Sequence, residues 1–194
     1  MPSMSQAEAI FCRTPVWRAA ARHVILPWAL QGFRPRGSVL EIGGGSGAMA
    51  AGLVAGSEDG TTLTVTDFDP AMVAAARANV VRADSRISAR VADATHLPFD
   101  DGSFDAVVSF LMLHHVIDWE EALAEAVRVL RPGGTLAGYD LLSTAAARVV
   151  HRLDRSPHRF IERSELEPAL AALPLRDLSV AHSPGLARFR ATKA

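Results

Sequence analysis

The chain holds a single cysteine, Cys12, so it forms no internal disulfide and builds no cysteine-based zinc cluster. Charge of one sign is lacking too. Twenty Lys+Arg stand against 21 Asp+Glu, a formal charge of −1, and nothing pulls the whole molecule towards nucleic acid. Lysine is almost missing: Lys193 is the only one among the cations, which together with the many alanines reads as genomic base bias. No run approaches the ~18 apolar residues of a membrane-spanning helix. The first thirty residues scatter Arg13, Arg18, Arg22 and His23 where a secretory leader wants a clean apolar stretch. What is present is an ordinary balance, 49% hydrophobic, 21% charged and 6% aromatic over 194 residues. That suits one cytoplasmic domain with a sizeable core.

Apolar positions in residues 6–30 suit one or two amphipathic helices interrupted at Pro15 and Pro27. After the break at Arg34-Pro35-Arg36-Gly37, short β-branched or apolar runs alternate with helical spacing. Strands are predicted at 38–42, 61–68, 87–92, 104–110 and 135–141, with helices over 48–55, 70–82 and 119–130 between them. Pro70 sits at a usual first-turn position, and Arg131-Pro-Gly-Gly134 stops the helix before the fifth strand. Strand–helix alternation of this kind implies parallel strands with helical crossovers, a doubly wound α/β sheet. The tail differs. Residues 145–155 read as helical, Ser164 to Glu167 as a capping box opening a helix that ends near Pro174, and 175–181 with 187–192 as an antiparallel hairpin.

Val39-Leu40-Glu41-Ile42-Gly43-Gly44-Gly45-Ser46-Gly47 is the most informative stretch. A buried strand runs into glycines that permit positive φ and let a ligand approach where a Cβ would collide. The following helix offers free N–H groups to an anion, pyrophosphate and carboxylate being equally acceptable. Gly43, Gly45 and Ala48 also satisfy the relaxed dinucleotide spacing, and a tight turn with no ligand is the bland alternative. Asp67, at the end of the second strand and about twenty residues past Gly47, is placed to accept from two ribose hydroxyls. Asp69, just before Pro70, reads instead as a helix N-cap.

VLEIGGGSG, VTDFDPAMV, ADATHLPFDDGSFDAVVS and LRPGGTL, in that order over residues 37–142, resemble the class I S-adenosylmethionine-dependent methyltransferases. The similarity is strongest to the small-molecule, type 11 enzymes related to ubiquinone/menaquinone biosynthesis. It implies a Rossmann-like seven-stranded sheet in the order 3-2-1-4-5-7-6 with strand 7 antiparallel and helices on both faces. It also implies a methyltransferase domain over 37–194, behind a helical cap segment at 1–36. Carried over position by position, Gly43, Gly44, Gly45 and Gly47 would line the methionyl part of S-adenosylmethionine, with Glu41 ordering the loop. Asp67 would bind the ribose, Phe68 and Met72 would flank the adenine, Asp93 would accept from its amine, and Ala94 would offer a backbone N–H. Ser109 and Phe110 would border the methyl-transfer position. Asp105 looks structural.

On the substrate side, His114-His115 follows the fourth strand, at the edge where open α/β sheets bind ligands. Either could serve as a base for a phenol, hydroxyl or acidic carbon, with core packing as the alternative. Arg13 and Trp17, one helical turn apart, are candidate acceptor contacts. Arg148, Arg152, Arg155, Arg159 and Arg163 recur along a stretch that reads as a solvated face rather than an anion site. Asp140 is the only carboxylate ending the fifth strand, so no metal site is expected. The expectation is methyl transfer to a small organic acceptor, without nucleic acid or membrane span, with a homodimer left open. The rivals are an NAD(P)-dependent oxidoreductase and a non-catalytic cofactor-binding subunit.

Overall fold

The computed structural model describes residues 14, 19–144, 148 and 158–194. Arg13, Trp17, Arg152, Arg155 and most of the helix expected over 145–155 lie outside these described residues.

Seven strands form one sheet: β1 (Ser38–Ile42), β2 (Thr62–Asp67), β3 (Ile87–Val91), β4 (Phe104–Phe110), β5 (Leu130–Leu141), β6 (Leu175–Ser183) and β7 (Leu186–Lys193). Their order is β3-β2-β1-β4-β5-β7-β6, with β1 to β5 mutually parallel and β7 antiparallel to both β5 and β6. The topology implied by the family resemblance is the one observed.

Why the central strands read as solid apolar runs is clear from the core. Side chains alternate between two faces along a strand, and here both faces are covered. Leu40, Val107 and Leu136 join one cluster with Trp119, Leu123 and Phe189. Val39, Ala106, Val108, Ala137 and Tyr139 join the other with Leu26, Leu53 and Val73.

The helices are α1 (Leu26–Leu30), α2 (Ala50–Ala55), α3 (Pro70–Ala76), α4 (Trp119–Val129) and α5 (Leu166–Ala171). Pro27 does not interrupt the first of these. It occupies the opening turn of α1, where no N–H is required, directly after a π-helical turn at Ala21–Ile25. A second π-helical turn, Arg77–Val81, extends α3. Asp69 caps α3, accepting from Ala71 N–H at 2.8 Å. The box expected at Ser164–Glu167 does not form; α5 begins at Leu166, and Glu165 reaches back to the Glu162 N–H at 2.9 Å. Strand β5 starts at Leu130, because Leu130 already pairs with Phe104 before the Gly133-Gly134 bend.

Candidate active site at the carboxyl edge of the sheet

Strand β1 ends where the glycine loop begins. Gly43 and Gly45 take φ of +65° and +55°, the left-handed region that side chains avoid. They need glycine for different reasons. A Cβ at Gly43 would come within 2.7 Å of Met112, whereas one at Gly45 would meet nothing within 4 Å among the described residues. Gly43 is therefore closed in by protein, and Gly45 faces space open among the described residues. Gly47 has a packing role, since a Cβ there would approach Val80 to 2.7 Å. The loop is pinned by Gly44 N–H to Thr66 O at 2.9 Å and by Asn79 Nδ2 to Ser46 O at 3.2 Å.

Two adjoining hollows flank this loop and share Gly43 and Leu111. The first is lined by Asp67, Phe68, Ala92, Ala94, Met112 and His115. The second is lined by Glu41, Gly44, Gly45, Met49, Phe110 and Tyr139. Asp67 joins the two sides, its Oδ2 accepting from Gly45 N–H and its Oδ1 from Asp69 N–H, both at 2.9 Å. Burial raises its carboxyl above the usual range, against those hydrogen bonds. Glu41 is 1% exposed, and its Oε2 has no hydrogen-bond partner among the described residues. Burial, assisted by the charge of Asp67, pushes Glu41 up to about 8.

Several sequence candidates do not line either hollow. Asp93 turns Oδ1 to its own loop, accepting from Thr95 N–H at 2.9 Å and from Thr95 Oγ1 at 2.8 Å. Met72 and Ser109 are buried at 4% and 2% exposure, and Ser109 Oγ also lacks a partner among the described residues. Phe68, by contrast, is 39% exposed at the rim of the first hollow.

The two histidines part company. His115 lines the first hollow, on the side of Asp67 and Phe68. His114 is 1% exposed and lines neither hollow; its Nδ1 lies 2.5 Å from Asp140 Oδ1. A base at His114 would have to reach an acceptor through that burial. Sequence reading missed the role of Asp140, and it missed Met49, Leu111 and Tyr139 in the second hollow. The sequence signal for Asp140 is only a carboxylate ending an otherwise apolar strand.

Among the arginines, Arg159 grips Glu120 with two contacts of 2.7 Å and stacks over Trp119, while Arg148 Nη1 donates to Ser143 Oγ at 2.6 Å. A wider cleft at the opposite end of the strands is lined by Arg34, Arg36, Glu58 and Arg131. There Asp105 is structural: it accepts from Ser38 N–H at 2.8 Å and from Arg131 Nη1 at 2.7 Å.

Residues 40–138 match the family model described as methyltransferase domain. A demethylmenaquinone methyltransferase of Clavibacter sepedonicus is 34% identical over 146 residues, 68% of this chain and 56% of that protein. A malonyl-[acyl-carrier protein] O-methyltransferase of Geobacter sulfurreducens is 35% identical over 153 residues, covering 73% and 57%. The chain thus spans little more than half the length of these relatives. In fold, it is similar to the methyltransferase in a Haloferax volcanii complex with the Trm112 activator. That match has a TM-score of 0.77 at 21% identity and covers 98% of both chains. A Thermotoga maritima methyltransferase gives a TM-score of 0.71 at 22% identity over 92% and 94%. With its strand order, its glycine loop and these matches together, the chain belongs to the methyltransferase domain family.

Proposed function

We propose that the chain transfers a methyl group from S-adenosylmethionine to a small organic acceptor and releases S-adenosylhomocysteine. The observation that carries this reading is the buried Glu41 Oε2, unsatisfied beside a loop whose Gly45 faces open space. A buried acceptor without a partner is costly, and a ligand's ammonium would satisfy it. Residues present therefore fit the cofactor. Gly43, Gly44 and Gly45 with Glu41 would hold the methionyl part. Asp67 would hold the ribose, because its carboxylate lines the first hollow, held there by the Gly45 and Asp69 N–H groups. Phe68 would flank the adenine and Ala94 would offer its backbone N–H. When bound, the cofactor supplies a methyl carbon already activated by its sulfonium.

What the chain must add is alignment and exclusion of water. Phe110, Leu111, Met49 and Tyr139 give the second hollow an apolar wall for that purpose. Arg13 and Trp17, in a cap formed by residues 1–36 over the 37–194 domain, complete the acceptor side in this reading. Of the two histidines, His115 is the one that reaches a hollow, so any proton transfer by histidine falls to it. We place the enzyme in the cytoplasm; no described helix is long and apolar enough to cross a membrane. A second copy, or an activator like that of the Haloferax neighbour, is a partner to test by co-purification.

The test is calorimetric titration with S-adenosylhomocysteine and, separately, with NADH. Binding of the first alone is expected, and binding of NADH alone overturns the reading. Asp67→Ala should lose roughly 1–3 kcal/mol of S-adenosylhomocysteine affinity, the size of a charged hydrogen bond. Tight binding without transfer to any acceptor would favour the non-catalytic subunit instead.

A further inference from the structure

Leu111 divides the two hollows, and it does so in an unfavourable shape. Its φ is +57°, a left-handed conformation that a side-chain-bearing residue holds only where its surroundings enforce it. The enforcement comes from the next strand. Leu111 N–H donates to Tyr139 O at 2.9 Å, and then Asp140 takes over. Its Oδ2 accepts from Met112 N–H at 2.9 Å and Leu113 N–H at 2.6 Å. Its Oδ1 accepts from Leu141 N–H at 2.7 Å and faces His114 Nδ1 at 2.5 Å, with His114 N–H more distant at 3.4 Å. Everything downstream hangs on this turn. Met112 packs where a Cβ at Gly43 would stand, His115 N–H returns to Met112 O at 3.0 Å, and Arg159 N–H docks on His114 O at 2.9 Å.

We propose that Asp140 is a positioning residue: its carboxylate clamps the Leu111–His115 turn, and so seats Met112 against the glycine loop and His115 in the cofactor hollow. The proposal rests on the reading that S-adenosylmethionine occupies those hollows. A carboxylate is required because the backbone N–H groups of Met112, Leu113 and Leu141 all donate to it, and a protonated His114 Nδ1 donates as well. An amide of the same shape would turn an NH2 into two or three of those N–H groups. Burial opposes ionisation of Asp140, yet the His114 charge and the surrounding hydrogen bonds prevail and hold its carboxyl below the usual range.

The test is Asp140→Asn, compared with the unmodified protein by S-adenosylhomocysteine titration and by histidine-ring NMR, well below the unfolding temperature of both. In the unmodified protein the ligand should bind and shift the His115 ring resonances. In Asp140→Asn the dissociation constant should rise about tenfold, as one charged hydrogen bond's loss implies, and the His115 shift should disappear. A folded Asp140→Asn that keeps both the affinity and the His115 shift overturns the proposal, whatever its melting temperature. No binding by the unmodified protein overturns the cofactor reading itself, and the proposal with it. Amide exchange in the unmodified protein needs no variant. Met112 and Leu113 should be protected as strongly as the interior of β4, and rapid exchange there overturns the clamp.

Discussion

Glu41 and Asp140 lie near the carboxyl ends of β1 and β5, each 1% exposed, and they ionise in opposite directions. Desolvation is the leading influence on both and favours the neutral acid in each case. What separates them is the company each keeps. Asp140 is ringed by backbone N–H groups and an imidazole, and its carboxylate is favoured. Glu41 has an oxygen with no donor among the described residues and the Asp67 charge nearby, so its proton is retained. Equal burial thus marks two kinds of site. Under the proposed function, the filled carboxylate of Asp140 is scaffold and the unfilled one of Glu41 awaits a ligand.

The sharpest way to break the contrast is to remove both carboxylates. Asp140→Ala should destabilise the fold by about 3–5 kcal/mol in urea unfolding, because it removes the buried acceptor that faces an imidazole and several amides at once. Glu41→Gln, an uncharged stand-in for the protonated acid, should leave stability at pH 5 within about 1 kcal/mol. Similar losses from the two variants would mean that Glu41 is scaffold as well.

Dependence on pH sharpens the comparison further. Glu41 has a folded value of about 8 against an ordinary 4.5. Between those values the unfolded chain gives up a proton that the folded chain keeps, so stability falls as pH rises. The slope approaches about 1.4 kcal/mol per pH unit and levels off above pH 8. Asp140 has the opposite sign. Its folded value lies below the ordinary 3.8, so its contribution is complete above pH 4 and fades as acid protonates the folded state. Urea melts at pH 5, 6.5 and 8 should show the unmodified protein losing stability relative to Glu41→Gln at each step. A constant difference would place an unseen donor on Glu41.

The same division governs what could be read from sequence. Strand positions, parallel pairing and the loop at Gly43–Gly47 were legible because apolar periodicity and glycine punctuation are local signals. Asp69 was legible as a cap because it stands directly before Pro70. Asp140 was not: its partners Met112, Leu113 and His114 lie 26 to 28 residues away, and only the β4–β5 pairing brings them together. His114 and His115 look equivalent in sequence, and tertiary contacts alone send one to Asp140 and the other to the hollow. The start of β5 at Leu130 was hidden for a similar reason. Pro132, Gly133 and Gly134 read as a stop, while pairing with Phe104 draws Leu130 into the sheet ahead of them.

Two nearby glycines separate the regions most finely. Both hold positive φ, so alanine at either carries a backbone cost of about 1–2 kcal/mol. At Gly43 the new methyl also meets Met112 Cβ and Cγ at 2.7 Å, atoms too close to their own backbone to swing aside. The turn held by Asp140 must then move, and Gly43→Ala should lose stability beyond the backbone cost and weaken S-adenosylhomocysteine binding as well. At Gly45 nothing lies within 4 Å among the described residues, so the loss of stability should stop at the backbone cost. The methyl there projects into the space assigned to the methionyl tail, and affinity should fall more than stability does. Calorimetry and urea melts on the two variants give a two-by-two comparison. If Gly45→Ala binds S-adenosylhomocysteine as the unmodified protein does, the tail does not cross the loop, and Glu41 must find its partner elsewhere.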